Sequence, residues 1–397
     1  MFSLNPSLQS YSWGSKTLIA DLRGEESPTQ HPQAELWYGA HPAAPADIAG
    51  VPLTDIIAAD PDRELGAAVR ARFGDRLPFL LKILAVAEPL SLQAHPSLTQ
   101  AQEGFRRENA QGIDVRAGNR NYRDDNHKPE LIVALTPFHA MAGFRPLAAT
   151  LELFAALDCP SLARYVGMID STGEEAVNLR MLFTTWITIP AAVRKQLIDD
   201  IIVAAKRVVA EGSAAEWQRE TLANIIELDT HYPGDVGVLG ALLLNYVRLE
   251  PGEGIYLDAG NLHAYCRGLG VEVMANSDNV LRGGLTAKHV DVPELARVLR
   301  FTSLVNPRTS NDTGWFEVPV EEFDMRMVTA TEESPWSAQI PGPRVVLCTA
   351  GHVTVTVGPA TQVLHPTEAA GAGYRRRSGF CGGGGRTLVD ALKLRIC

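Results

Sequence analysis

One long stretch of this chain is patterned differently from everything around it, and that contrast constrains the fold more than any single motif. Between about Leu147 and Leu249, apolar residues recur at three- and four-residue spacing. LAATLELFAAL is one such run. AAVRKQLIDDIIVAAKRVVA is another, and it puts Val193, Leu197, Ile201, Ala204, Ala205 and Val208 on one helical face. EWQRETLANIIELDTHYPGD continues the pattern until Pro233-Gly234 stops it. The flanks read as strands. LPFLLKILAVAEPLSL is two buried apolar strands broken at Glu88-Pro89, and ELIVALTPFHAMAGF is a second pair punctuated by Pro137. GIYLDAGNLHAY is a short strand, a glycine-containing turn and another strand. After about Thr302, WFEVPVEEFDMRMVTA and RVVLCTAGHVTVTVGP alternate apolar and polar residues as an antiparallel sandwich does. The pattern predicts a mainly β body over 1–146 and 250–300, an α-helical insert over 147–249, and a second β-domain over 301–397. No fixed repeat of solenoid length interrupts this plan. The tail from about Gly371, GAGYRRRSGFCGGGGRTLVDALKLRIC, is atypical: it clusters glycines and basic residues and lacks clear strand alternation.

A chain of 397 residues is long enough for two or three cores, and 46% apolar with 21% charged residues is ordinary for a globular protein. The formal charge of −10 argues against a nucleic-acid-binding face, so an anionic substrate would require a locally basic pocket. The five cysteines are an odd number, widely spaced and without a CxxC pair, which fits a reducing compartment. The start lacks a basic segment followed by an apolar one, and the longest apolar run, around Val236 to Val247, is too short to span a bilayer. A soluble, cytoplasmic protein with no membrane partner is expected.

SLQAHPS places Gln93 and His95 two residues apart in strand-like text, so both side chains leave the same face of a sheet. Alone, that pair reads more readily as two half-buried polar residues satisfied by their neighbours. In NHKPEL, Glu130 opens an apolar strand, where a carboxylate is costly without a cation or donors. Lys128, two residues earlier and held extended by Pro129, shares its side; a purely structural Lys–Glu pair is the alternative. DAGNLHAY then sets His263 just after a glycine turn, which resembles the second half of the cupin motif. Gln93, His95, Glu130 and His263 together form a four-ligand N/O set with a charge of only −1 from Glu130, leaving a bound divalent ion net positive. Zinc is favoured, although such a set also suits iron, manganese, cobalt or nickel.

The chain resembles the class I, cupin-type mannose-6-phosphate isomerases over roughly residues 1–360. The segments that carry the resemblance are YSWGS, AELWYGAHP, LPFLLKILAVAEPLSLQAHPS, NYRDDNHKPELIVALTPFHAMAGFRP, YPGDVGVL and, above all, HAYCRGLGVEVMANSDNVLRGGLTAKHVDVPEL. It implies cupin (double-stranded β-helix, jelly-roll) domains with an inserted α-helical domain. It also places Gln93, His95, Glu130 and His263 where that family binds one zinc ion. Two features depart from the pattern. Cys266 stands where a larger apolar residue is common, and the tail does not match the family's closing strands.

The resemblance implies interconversion of mannose 6-phosphate and fructose 6-phosphate through an enediol. That reaction needs a base, a stabiliser for a developing oxyanion, and a clamp for the distant phosphate. Arg282 and Lys288 in NVLRGGLTAK are the clamp candidates, because Gly283 and Gly284 let backbone approach a ligand and arginine offers a two-toothed fork. By resemblance Ser91 contacts phosphate or sugar, and Tyr265, on the face of His263, can hydrogen-bond the sugar. Glu272 is the first candidate base, followed by Lys128 and His127 as competing proton-transfer groups. Trp13 and Trp37 read as core or pocket wall, and His41, His139, His231 and His352, which lack same-face partners, read as structural or exposed. The competing possibilities are an isomerase of a related hexose phosphate, a non-catalytic metal-bound sugar-binding cupin, and a chain inactivated by its tail. A monomer acting on a small sugar phosphate, without nucleic acid, is expected.

Overall fold

The computed structural model describes residues 1–373 except 310–313, 332 and 339–341, and beyond them the strands Ser378–Gly382 and Gly385–Ala391. The architecture is mainly β. The two predicted strand pairs are present, as Phe79–Val86 with Leu92–Ala94 and as Glu130–Ala134 with Phe138–Phe144. Both join the sheet built around the long strand His263–Ala275. The later half of that strand pairs antiparallel with Phe79–Val86 on one side and Glu130–Ala134 on the other. Its first residues pair instead with Leu92–Ala94 and Phe138–Phe144.

The change of partner occurs at an irregularity between Tyr265 and Arg267, followed by Gly268 at φ 120°. A Cβ at residue 268 would lie 2.7 Å from the Pro137 carbonyl oxygen and 2.8 Å from the Phe138 ring. Only glycine accepts both the backbone angle and the close approach.

Strand alternation then sorts side chains between two cores. From Phe79–Val86, residues Phe79, Leu81, Ile83 and Ala85 face one cluster, while Leu84 and Val86 face another. Leu131 and Val133 join the first cluster and Ile132 and Ala134 the second; Val271 and Val273 join the first. The first cluster is shared with the C-terminal sheet through Phe316, Phe323, Met325, Val345 and Leu347, so the two β-layers have one continuous core. The second cluster is the inside of the β-body.

Six α-helices and one short 3-10 helix lie between Leu147 and Ala241 and pack on the opposite side through a separate core of Phe154, Leu179, Phe183, Trp186, Leu197, Ile201 and Leu228. Two details correct the sequence reading. Val193 is 42% exposed, because it lies in the first turn of Ala191–Glu211, before that helix meets its neighbours. The helical stretch also ends earlier than Leu249, since Leu244–Leu249 is a strand paired with Phe138–Phe144.

The chain's opening also departs from the predicted boundary. Phe2–Leu4 pairs with Ala369–Ala372 and so belongs to the C-terminal sheet. The tail carries more order than its sequence suggests: Gly385–Ala391 pairs with both Arg344–Ala350 and Met325–Ala330, and Ser378–Gly382 pairs with Val353–Val357. The basic run at 375–377 lies outside the described residues.

Candidate metal centre

Alternation that sends Leu81, Leu131 and Val271 to one core sends Lys82, Glu130 and Glu272 to the interior of the β-body. All three are buried, at 6%, 3% and 3% exposure. Charges placed there are costly unless they meet partners, and each does. Lys82 Nζ lies 3.4 Å from Glu272 and 3.8 Å from Glu35, over the face of Trp37 at 5.1 Å from the ring centroid. The Trp37 indole N–H donates to Glu35. Burial works against the ammonium of Lys82, but Glu35, Glu272 and Glu130 outweigh it and hold its pKa above the ordinary value.

Glu130 divides its oxygens. Oε1 lies 2.8 Å from Lys128 Nζ, while Oε2 lies 3.3 Å from His95 Nε2 and 3.2 Å from His263 Nε2. Burial pushes its pKa up, but the Lys128 ammonium beside it opposes that, and its pKa lies well below the ordinary carboxylate range.

Each histidine faces a backbone carbonyl at its other ring nitrogen: His95 Nδ1 lies 2.7 Å from the Asn279 oxygen and His263 Nδ1 lies 2.9 Å from the Asn261 oxygen. The carbonyls require the proton on Nδ1, so the Nε2 lone pairs point inward. Burial, only partly offset by Glu130, lowers the His95 pKa to about 4, so the ring is neutral near neutral pH. Its Nε2 is buried without a hydrogen bond. A lone pair facing a carboxylate oxygen is repulsive unless a cation lies between them. The ligand atoms of His95, Glu130 and His263 all lie within 4.8 Å of one another, a set that can hold one metal ion.

Gln93 sits in register opposite both His263 and Arg282, and it lines the adjoining cavity of about 70 Å³. That cavity is walled by Glu35, Lys82, Lys128, Glu130, Tyr265 and Glu272. Burial and the neighbouring Glu130 raise the Glu272 pKa, with Lys82 and Lys128 opposing. The Tyr265 hydroxyl is buried without a hydrogen bond, and burial with the charges of Glu272 and Glu130 holds its pKa well above the ordinary value.

Residues 1–147 match the family model for the phosphomannose isomerase type I catalytic domain. Mannose-6-phosphate isomerase of Escherichia coli K12 is 38% identical over 383 residues, covering 93% of this chain and 94% of that protein. The chain belongs to the type I phosphomannose isomerase family. The human mannose-6-phosphate isomerase is 34% identical over 79% of this chain and 75% of its own length. A zinc-bound crystal structure of mannose 6-phosphate isomerase superposes with a TM-score of 0.88 at 35% identity, covering 99% of each chain.

Within this phosphomannose isomerase fold the other predicted residues fall at different distances from the cavity. Arg282 is half-buried on Leu281–Gly284, opposite Gln93, and Lys288 is exposed in the loop that follows. The turn between them is fixed by Asp235, whose Oδ1 accepts from the Leu285 and Gly237 amides at 2.6 and 2.7 Å. Ser91 is half-buried just before Leu92–Ala94 and is absent from the cavity wall. His127 is not brought to the cavity. Lys128 and Glu130 face inward, so His127 faces out, where Nε2 meets Glu322 at 2.5 Å beside a larger cleft of about 1170 Å³.

Sequence reasoning missed Lys82, Glu35 and the role of Trp37, and it left His41 without a partner where the structure gives it Asp278 at 3.3 Å. A lysine inside LPFLLKILAVA was the available signal, since an unpaired charge is not buried in an apolar strand. Asn279 was also missed. It is fully buried; its carbonyl holds His95, and its side chain holds the backbone of Arg123, Asp124 and Asn126.

Proposed function

We propose that this chain interconverts mannose 6-phosphate and fructose 6-phosphate at the buried cavity, with zinc held by Gln93, His95, Glu130 and His263. The observation that carries this reading is the convergence, on one interior face, of a neutral-imidazole and carboxylate ligand set, two buried lysines, and a carboxylate with a raised pKa. A non-catalytic sugar-binding cupin would have no use for the last three.

When bound, zinc supplies a Lewis acid to negative charge developing on the sugar. The protein's own groups account for the rest. Glu272 takes the proton from C2 and returns it to C1, because its raised pKa brings a carboxylate closer to the working pH, while the hydroxyl proton of O2 passes to O1 by way of the Lys128 ammonium. Lys82 and Lys128 are ammonium groups fixed in a water-poor cavity, where they stabilise the enediolate oxygens without reorganisation. Tyr265 offers its unpaired hydroxyl to the sugar. Arg282 and Lys288 hold the phosphate at the cavity rim, with Ser91 as a further contact, so that the reacting carbons enter and the charged end stays outside. His127, facing the other way, is left out of the proton transfer. We read the helices from Leu147 to Ala241 as an inserted domain whose Asp235 steadies the clamp. Cys159, Cys266 and Cys348 are buried free thiols, which supports a reducing, cytoplasmic setting.

The test is Glu272→Gln in the zinc-loaded protein. The substitution keeps the shape and removes the base, so kcat falls by about a hundred-fold or more while zinc content stays at one per chain. Retained turnover would remove Glu272 from the reaction.

A further inference from the structure

Three cations flank the phosphate end of the proposed site, and sequence reasoning named only two. Arg123 lies on the segment between Tyr122 and Asn126, far from Arg282 in sequence, and Asn279 joins the two regions. The Asn279 Oδ1 accepts from the Arg123 amide at 2.7 Å and the Asp124 amide at 3.2 Å, while Nδ2 donates to the Asp124 and Asn126 carbonyls, each at 2.8 Å. Three residues later the chain reaches Arg282.

The segment ahead of Arg123 is equally constrained. Arg120 is buried and donates to the Tyr122 and Ile113 carbonyls, each at 2.6 Å, with its guanidinium 2.9 Å from Glu108. Tyr122 is itself fully buried. An exposed arginine on so fixed a backbone is presented, rather than left to wander.

The electrostatics agree with this placement. Burial lowers the pKa of Arg282, and the charge of Arg123 lowers it further; Lys288 is lowered by burial, Arg282 and Arg123. Among the described residues the side chains of Arg123, Arg282 and Lys288 have no ion pair or hydrogen bond. Asp278, which feels the charge of Arg123, is itself engaged by His41. Three cations that repel one another and make no ion pair among the described residues are a site for a multiply charged anion.

We infer that Arg123 is a third phosphate-binding residue, carried by a loop that Asn279 ties to the metal ligand His95. The inference rests on the sugar-phosphate reading above and adds a specificity determinant to it. Because one residue links the loop to His95, phosphate binding and metal-ligand orientation share a scaffold.

Zinc-loaded wild type, Arg123→Ala and Arg123→Lys are compared for turnover of mannose 6-phosphate and for competitive inhibition by inorganic phosphate, with melting temperatures as a fold check. Arg123→Ala raises KM and the phosphate inhibition constant together by about ten-fold, with a much smaller change in kcat. Arg123→Lys recovers part of that loss, because charge is kept and the fork is lost. Both variants melt with the wild type, as Arg123 is exposed. Unchanged KM and inhibition constant, or a fall in kcat alone, overturns the assignment while leaving the isomerase reading intact. A folded wild type that neither turns over the sugar phosphate nor is inhibited by phosphate sinks both.

Discussion

Lys82 illustrates how one buried charge is tuned by where its strand places it. It sits 3.4 Å from Glu272 and 3.8 Å from Glu35, and its charge opposes the rise that burial gives the Glu272 pKa. Lys82→Met removes that opposition and moves Glu272 further up. A base must be ionised, so activity is lost as pH falls through its pKa. The acid limb of the kcat profile therefore shifts to higher pH in Lys82→Met. An unmoved or lowered limb would show that Lys82 does not act through Glu272. Gln93 and His95 were visible as a same-face pair and Glu130 as a carboxylate interrupting apolar text, but only the resemblance joined them with His263 into a ligand set, of which His95, Glu130 and His263 converge. Lys82 was not, because its partners come from Glu35–Tyr38 and His263–Ala275, and only the folded sheet brings the three strands side by side.

Single elements carry both halves of the site. His263–Ala275 supplies His263 and Tyr265 before its irregularity and Glu272 after it, so the break at Gly268 sets how the metal-ligating histidine and the proposed base face each other. Gly268→Ala places a methyl group 2.7 Å from the Pro137 oxygen at a backbone angle that alanine resists. The expected cost is about 2–4 kcal/mol, read as a lowered midpoint in denaturant unfolding. A variant as stable as wild type would mean that the strand can take another path between its two sets of partners. The pattern of Val, Leu and aromatic residues made the strands themselves readable. The switch of partners was not readable, because a glycine in strand text marks a bulge without saying which sheets it joins.

At the scale of the molecule, the layers form a stack in which helices, catalytic β-body and C-terminal sheet are joined by packed cores, and the site lies inside the middle layer. The plan of strands, helices and strands was visible from periodicity alone. The shared core of Leu81, Val271, Phe323 and Leu347 was not, since alternation shows that a face is buried and leaves its partner unnamed. The tail's strands were hidden for a related reason: their glycine-rich text has little alternation, and pairing with Arg344–Ala350 and Val353–Val357 supplies what propensity does not. All of this architecture serves one small ligand set. The most direct measurement is a coupled isomerase assay with mannose 6-phosphate on protein as purified, after exhaustive chelation, and after zinc is restored. Turnover that disappears on chelation and returns with about one zinc per chain is the predicted result. Full activity in protein shown to be metal-free would contradict the account.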